Sequence, residues 1–444
     1  MLLEFRTKNY KSFRDELVFS MVPAPKQKGL DYSILRQKIG NKEHKALCSA
    51  VLYGPNASGK TNIVGAMDTF KSIVLRGNLR NDDDKGSLNK AAHRLELIPN
   101  LTLSAPEPVS FSIRFVAAEL VITYSFSADL GRFLDSSHRR RVVQETLTVN
   151  DSVIFQRDEG LSIQNLNVIK RYLPDALEAN LEGAKKLSRG NLSEEELFLM
   201  NGFKTMFSAQ FVSLITSWLE KQFIIIYHAN TVETVQPTAN PKHGKFYVNP
   251  LLSDAASCFG LNSNNIGFAV DNDGDEPRLY SLFTNQDSVG KNVLMPAEFF
   301  ESYGTIRFIN LFPLLASAMQ SGGTLVVDEF DASIHPMALM NIINIFHNDE
   351  INRNNAQLIF NTHNPIFLNS NLYRRDEIKF VERDDESHNS IHYSLSDFGT
   401  TGPSGVRKNE DYMRNYFVDR YGAIRHMDFT PIFEELMNPQ HHKG

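Results

Sequence analysis

Eight residues constrain this chain more than any others: Gly54-Pro55-Asn56-Ala57-Ser58-Gly59-Lys60-Thr61. They match the pattern GxxxxGK[ST], and their flanks are the ones the pattern needs. Ala46 to Tyr53 is a compact apolar run that reads as one buried strand. After the loop, Ile63, Met67, Phe70, Ile73 and Val74 recur at helical spacing. Strand, glycine loop and helix in that order form a cradle for phosphate. Gly54 and Gly59 let the backbone bend without a Cβ clash. Loop N–H groups and the helix N-terminus supply positive partial charge. Lys60 can reach β- and γ-phosphates, and the Thr61 hydroxyl can bind magnesium. The alternative is a chance glycine turn before a helix.

A partner for this loop lies far downstream. Thr324-Leu325-Val326-Val327 is a β-branched apolar run ending in Asp328-Glu329. A buried strand that delivers two acids at its end suits metal binding by Asp328 and activation of a water by Glu329. Ala356 to Phe360 reads as the next strand and ends in Asn361-Thr362-His363-Asn364-Pro365. His363 is therefore either a γ-phosphate sensor or a structural histidine. Asp331 opens the intervening segment Asp331-Ala332-Ser333-Ile334-His335-Pro336. Upstream, Glu301-Ser302-Tyr303-Gly304-Thr305 opens an apolar helix from Ile306 to Met319. Ser302 is either a plain N-cap or part of a second anion site at a helix start.

Length and composition frame these motifs. A chain of 444 residues suggests about two or three domains. With 42% hydrophobic and 22% charged residues it has enough apolar surface for a sizeable core. A net charge of −6 excludes a bulk nucleic-acid coat, although a local basic patch is still possible. Two cysteines, Cys48 and Cys258, make neither a disulfide framework nor a zinc cluster. The charged start is unlike a signal peptide, and no run reaches the roughly 20 apolar residues of a membrane span. These features fit a soluble protein of the reducing cytoplasm.

Between the two motif regions the pattern changes. Leu3 to Phe19 reads as two short antiparallel strands. Residues 76–100 are polar, and Asp82-Asp83-Asp84 there is either a metal site or a solvated loop. Val109 to Val149 alternates as an antiparallel meander. Residues 165–222 read as helical, with Ser193 and Glu196 as a capping box and an apolar face at Phe211, Ile215 and Trp218. Residues 229–290 are loop-rich, with Pro237, Pro241 and Pro250. His138-Arg139-Arg140-Arg141 is either a backbone grip or a solvated hairpin turn. The tail interleaves Arg407, Lys408, Arg414, Arg420 and Arg425 with Tyr412, Tyr416 and Tyr421, which is also what a helix packed by its tyrosines would show.

Taken together, the order of these motifs resembles the ABC-type ATPases of the SMC and RecF kind. More narrowly, YGPNASGKTN, ESYGT, LVVDEFDASIHP and NTHNP resemble the AAA-family ATP-binding proteins of bacterial abortive-infection and anti-phage loci. RloA and AbiL types belong there, with relatives in the Septu and PARIS systems. The resemblance covers about 1–75 and 295–430. It implies that Gly54, Pro55, Asn56, Ala57, Ser58, Gly59, Lys60, Thr61 and Asn62 bind ATP. It implies that Ser302, Gly304 and Thr305 are a signature segment contacting the γ-phosphate held by an opposite subunit. The usual terminal glutamine of that signature is missing here. Asp331 would lie between facing sites, and His363 would be the switch histidine. Thr61, Asp328 and, as a Q-loop glutamine, Gln144 would hold Mg2+. Lys60, Glu329 and His363 would serve catalysis. Tyr10 or Phe13 would either stack on adenine or sit in the core.

The expected fold is α/β, a P-loop NTPase of the ABC/SMC-head type split by an inserted antiparallel-β and helical middle. The expected divisions are 1–100 and 101–160 for the first half of the head and its β meander, 161–290 for an arm or lid, 291–400 for the second half, and 401–444 for a tail. The expected function is an ATP-hydrolysing sensor or scaffold subunit of an anti-phage system, acting as a dimer or larger assembly. No nuclease pattern is read in the chain, so the resemblance implies a separate effector, a TOPRIM-type or RloB-like nuclease. The trigger would be a nucleic acid or a phage protein, and no membrane is involved. The alternative is a RecF- or SMC-like ATPase that clamps DNA.

Overall fold

The computed structural model describes the chain except residues 26, 28, 81–95, 133–137, 228–245, 271–276, 285–291, 402–404, 426 and 438–444. Asp82-Asp83-Asp84, Pro237 and Pro241 therefore lie outside the described residues.

Strands are numbered along the chain. The first sheet uses β1 (Leu2–Lys8), β2 (Leu17–Ser20), β6 (Val109–Ala117), β7 (Leu120–Asp129), β8 (Arg141–Val149), β9 (Ser152–Arg157) and β10 (Leu161–Ile163). Its order is β10-β9-β8-β7-β6-β1-β2, antiparallel throughout. Val109, Phe111, Ile113 and Phe115 are buried while the serines and the arginine between them are partly exposed, so one face looks inward.

The second sheet uses β5 (Ser49–Tyr53), β11 (Phe223–Ile226), β15 (Thr324–Val327), β16 (Gln357–Asn361), β17 (Ile378–Arg383) and β18 (Ser390–Ser394). Its order is β11-β15-β16-β5-β17-β18, parallel except at β18. Its central strands are buried on both faces, as a covered parallel sheet requires. A hairpin of β3 (Ile34–Ile39) and β4 (Lys42–Leu47) and a small sheet of β12 (Asn265–Ala269), β13 (Arg278–Thr284) and β14 (Asn292–Pro296) complete the β structure. The apolar run 46–53 is thus two strands, broken at Cys48, because its first part pairs with β3 and its second with β16 and β17.

Side-chain alternation in the parallel sheet feeds two cores. Ala50, Leu52, Val326, Ile359 and Val381 face the antiparallel sheet. Between the sheets lie α1 (Lys60–Arg76) and, beyond α2 (Ala176–Gly190), α3 (Ala209–Lys221). Phe70 of α1 stacks on Phe126 at 5.7 Å, and Trp218 of α3 on Phe115 at 3.9 Å. Val51, Tyr53, Leu325, Val327, Leu358 and Phe360 face the other way. There they meet α5 (Tyr303–Ser321) and α6 (Pro336–His347), and α4 (Pro250–Phe259) lies against α5. The short α7 (Tyr412–Phe417) joins this second core through Tyr412, and Val406, Tyr421 and Ala423 are buried with it. The tail tyrosines therefore pack, and α8 (Thr430–Met437) follows them. Among the described residues no helix is long and apolar enough to cross a membrane.

Two local expectations change. No helix starts at Ser193: its carbonyl accepts from Arg157, and Glu196 continues a segment that bridges Asn78. The loop-rich stretch contains α4, because Asn249 caps it and Pro250 stands at its first position, where the lost N–H costs nothing.

One buried network ties the antiparallel sheet to the helical layer. The Glu145 carboxylate, fully buried, accepts from the Tyr124 hydroxyl at 2.8 Å and from the N–H groups of Phe198 at 2.7 Å and Leu199 at 2.8 Å. Arg157 lies 3.7 Å away. Burial raises the Glu145 pKa, and these donors oppose the shift. Glu145→Ala leaves the donors and the guanidinium unpartnered, so the chain should lose about 3–5 kcal/mol of stability. Urea titration followed by emission of Trp218, the chain's single tryptophan, checks this.

Candidate functional site

The site lies where the parallel strands end. β5 carries the phosphate loop and β15 the acids, yet the two strands are not neighbours, because β16 lies between them. Residues at the end of β16 are thereby held between loop and acids.

The loop has the backbone its glycines were expected to allow. Gly59 has φ +111° and caps α1. A Cβ there would come within 2.8 Å of Ser390 Oγ and Ser12 Oγ. A Cβ at Gly54 would lie 2.2 Å from the Val381 carbonyl oxygen. The Lys60 ammonium donates to the carbonyls of Gly54 at 2.7 Å and Pro55 at 2.9 Å. Ser58 Oγ is buried without a hydrogen-bond partner. Asn62 donates to Ser12 Oγ at 2.8 Å and so pins the helix start rather than facing the loop. An open backbone cradle, an ammonium held only by loop carbonyls and a buried unpartnered hydroxyl fit a phosphate chain. Asn56 and Ala57, exposed at the loop's crest, stand on the same segment.

The acids are tied to it. The Thr61 hydroxyl donates to Asp328 Oδ1 at 3.1 Å, so the two expected magnesium ligands already touch. Asp328 is buried, and the Asn361 amide donates to the same carboxylate. Glu329 is exposed and has φ +51°, a left-handed conformation that is strained for a non-glycine residue. Both its backbone groups are clamped. Its N–H donates to Asn361 Oδ1 at 2.5 Å, and its carbonyl accepts from Arg307 at 2.6 Å. The backbone of this exposed residue is thereby fixed from both sides.

Electrostatics unite the set. Burial lowers the Lys60 pKa to about 8, against the pull of Asp328, Glu329 and Asp331. His363 is lowered by burial and by Lys60, while Asp331, Glu329 and Asp328 raise it. The imidazole is therefore neutral near pH 7 and free to hydrogen-bond rather than to carry charge.

The segment 302–305 is joined to the acids' loop. Ser302 caps α5, accepting from Thr305 N–H at 3.1 Å. Gly304 packs on Ser333 so closely that a Cβ would lie 2.1 Å from its carbonyl oxygen. Ser333 itself has φ +62°. Glu301 accepts from Ser263 Oγ at 2.6 Å, Ser281 Oγ at 2.9 Å and Asn262 N–H at 2.9 Å, fastening the small sheet to the same helix start.

One expectation is corrected, and two open alternatives are narrowed. Gln144 is not brought to Thr61 and Asp328: strand alternation places it on the exposed outer face of β8, in a groove with Glu4, Arg6 and Thr146. The strand end beside Asp328 is that of β11, whose Ile226 carbonyl accepts from Asp328 N–H at 2.9 Å. Tyr227 follows it, and its hydroxyl donates to Glu96 at 2.6 Å. Tyr10 and Phe13 are buried in the first core, with the Tyr10 hydroxyl 3.1 Å from Thr69, so neither offers a face to adenine. The basic run 138–141 is engaged within the fold: His138 and Arg141 pair with Asp129 at 3.1 Å, Arg139 with Glu195 at 2.8 Å, and Arg140 donates to the Leu79 carbonyl.

Arg307 and Tyr227 carry no motif, and sequence reasoning missed their roles. Asn361 and Glu301 stand in NTHNP and ESYGT, but neither role was legible there, because their partners lie on distant elements.

Residues 49–369 match the family described as AAA domain, putative AbiEii toxin, Type IV TA system. The match runs from the strand before the phosphate loop to beyond His363, well over half of the chain. No curated protein matches the chain.

The lowered Lys60 pKa has a measurable consequence. An ammonium is charged below its pKa, and phosphate binds the charged form. Affinity for ATP should be flat between about pH 6 and 7.5 and weaken above about 8, approaching tenfold per pH unit. Titration of a fluorescent ATP analogue across pH checks it, and Lys60→Ala should remove the dependence together with most of the affinity.

Proposed function

The chain belongs to the AAA domain family described for the putative AbiEii toxin of type IV toxin–antitoxin systems, and from that premise we propose that it is an ATP-hydrolysing ABC-type ATPase of abortive infection. The carrying observation is the convergence of Lys60, Thr61-Asp328, Glu329 and His363 at the ends of three neighbouring strands. In this reading the phosphate loop and Lys60 hold the triphosphate. Thr61 and Asp328 hold Mg2+, which neutralises phosphate charge when bound. Glu329, aimed by Asn361 and Arg307, takes the proton of the attacking water, and neutral His363 hydrogen-bonds the γ-phosphate.

The reading extends to two chains. Ser302 Oγ and Thr305 bond to each other, at 2.8 Å, and Gly304 contacts the loop after the acids. Among the described residues no hydrogen bond joins this segment to its own phosphate loop. That supports a site completed by the signature segment of a second copy, with Asp331 near the joint. Opening and closing of such a sandwich would bias a separate effector, of TOPRIM-type or RloB-like chemistry, between held and released forms. The pairing of the 138–141 run with Asp129 and Glu195 lends no weight to a DNA-clamp alternative.

Glu329→Gln keeps the shape of the side chain and removes the base. Hydrolysis should fall by roughly 10²-fold or more while ATP binding persists, as read by phosphate release and equilibrium binding. Normal turnover would mean that another residue activates the water. Lys60→Ala and Ser302→Arg proteins should each be inactive alone and recover part of the ATPase rate when mixed. No recovery in verified heterodimers would mean that one chain completes its own site.

A further inference from the structure

A second cluster of reactive side chains lies at the other end of the parallel sheet. The phosphate loop follows the end of β5, whereas Cys48 and Ser49 stand at its start, where the apolar run breaks between two pairings. Glu377 immediately precedes β17, the neighbour of β5, and its carbonyl accepts from Val51 N–H at 2.9 Å. His347 is the last residue of α6. Cys48 Sγ, His347 Nε2 and Glu377 Oε1 all lie within 4.8 Å of one another, and all three residues are buried.

The distances suit one shared ion. His347 Nε2 and Glu377 Oε1 are 3.1 Å apart, and Cys48 Sγ and Glu377 Oε1 are 4.0 Å apart. The ligands of a tetrahedral zinc, with bonds of about 2.3 Å to sulfur and about 2.1 Å to nitrogen or oxygen, stand roughly 3.4–3.6 Å from one another. The Ser49 hydroxyl is 2.8 Å from both Nε2 and Oε1 and takes another side of the cluster. Each ligand is also held from outside. Cys48 N–H donates to the Ser33 carbonyl at 2.9 Å, and Arg374 N–H donates to the second Glu377 oxygen at 2.8 Å. Tyr32 and Tyr373 pack on the His347 ring, with centroids 5.8 Å and 5.6 Å away.

Two further observations point to a cation. Glu377 is fully buried, yet among the described residues its one ion pair is with His347. The neighbouring Arg374 guanidinium pairs with Asp376 at 2.9 Å, and that of Arg375 donates to the carbonyls of Gly399 and Val406. A buried carboxylate with so little counter-charge is costly to desolvate. The Tyr373 hydroxyl is buried without a hydrogen-bond partner. Burial, and then Glu377, Tyr53 and Cys48, push its pKa well up, so it lies against the same cluster.

We propose that Cys48, His347 and Glu377 bind one Zn2+, which fastens the starts of β5 and β17 to the end of α6. Thiolate, imidazole and carboxylate together are a donor set for zinc, whereas Mg2+ takes oxygen ligands. The thiol proton leaves to solvent as the metal binds. Thiolate and carboxylate against Zn2+ then make a neutral buried unit. The site shares no residue with the phosphate loop or the acids, so it holds its ion without nucleotide.

The test uses the full chain, stripped with a chelator and then given Zn2+. One ion per chain should survive dialysis, as read by elemental analysis, and the loaded protein should melt at a higher temperature than the stripped one. Co2+ in place of Zn2+ should give a thiolate-to-metal charge-transfer band in the near ultraviolet. Cys48→Ser should abolish that band and weaken zinc binding by about 100-fold or more. Cys258→Ser, which removes the exposed thiol, and Lys60→Ala should leave band and stoichiometry unchanged. The zinc content and cobalt band of the unaltered chain decide the matter even where Cys48→Ser fails to fold. An unaltered chain that retains no zinc and shows no cobalt band would overturn the proposal and leave a cluster closed by hydrogen bonds alone. A band that survives Cys48→Ser, or is lost with Cys258→Ser, would overturn it as well.

Discussion

The position of β16 is the constraint on which the site depends. It separates the strand that carries the phosphate loop from the strand that carries the acids, and its register is set by pairing with both. Phe360 lies opposite Val327 on one side and Val51 on the other. That register delivers Asn361 against Asp328 and Glu329, Thr362 N–H against the Leu52 carbonyl, and His363 toward Lys60. A slip of one residue would turn the Asn361 side chain to the opposite face and leave Glu329 N–H unmet in its left-handed turn.

A second set of contacts joins the acids to α5. Arg307 holds the Glu329 carbonyl from α5, while Gly304 of the same helix packs on Ser333. Glu301 fixes the small sheet to that helix start. Glu329, the loop after it and the segment 302–305 are therefore one packed unit. The first turn of α5 has no room to shift without disturbing the loop after the acids.

The antiparallel sheet serves this arrangement from behind. Its inward face and α1 share one core, and Phe70 of the helix that presents Lys60 and Thr61 is held there by Phe5, Phe111 and Phe126. The opposite core takes in α5, α6 and the tail tyrosines, with Tyr416 stacked on Phe380 at 6.0 Å. Each parallel strand contributes alternate residues to both cores, which is why the sheet cannot shift without disturbing both layers.

Much of this was legible in the chain alone. Gly54 to Thr61, Asp328-Glu329, Ser302 as a cap and the meander from Val109 to Val149 all announce themselves, because local backbone needs and short periodicities write directly into residue type. Gln144 could not be placed that way, and the choice between core and adenine for Tyr10 and Phe13 stayed open, since the face on which a strand or turn residue lands is set by partners far off in sequence. The break at Cys48 has the same origin: two halves of one apolar run pair with different sheets. By itself the sequence determined which groups are present for phosphate, metal and water. Only the tertiary structure decided that β16 lies between loop and acids and so recruits Asn361, while Arg307 reaches in from α5. Strand order and the packing of distant helices are long-range choices that no local pattern encodes.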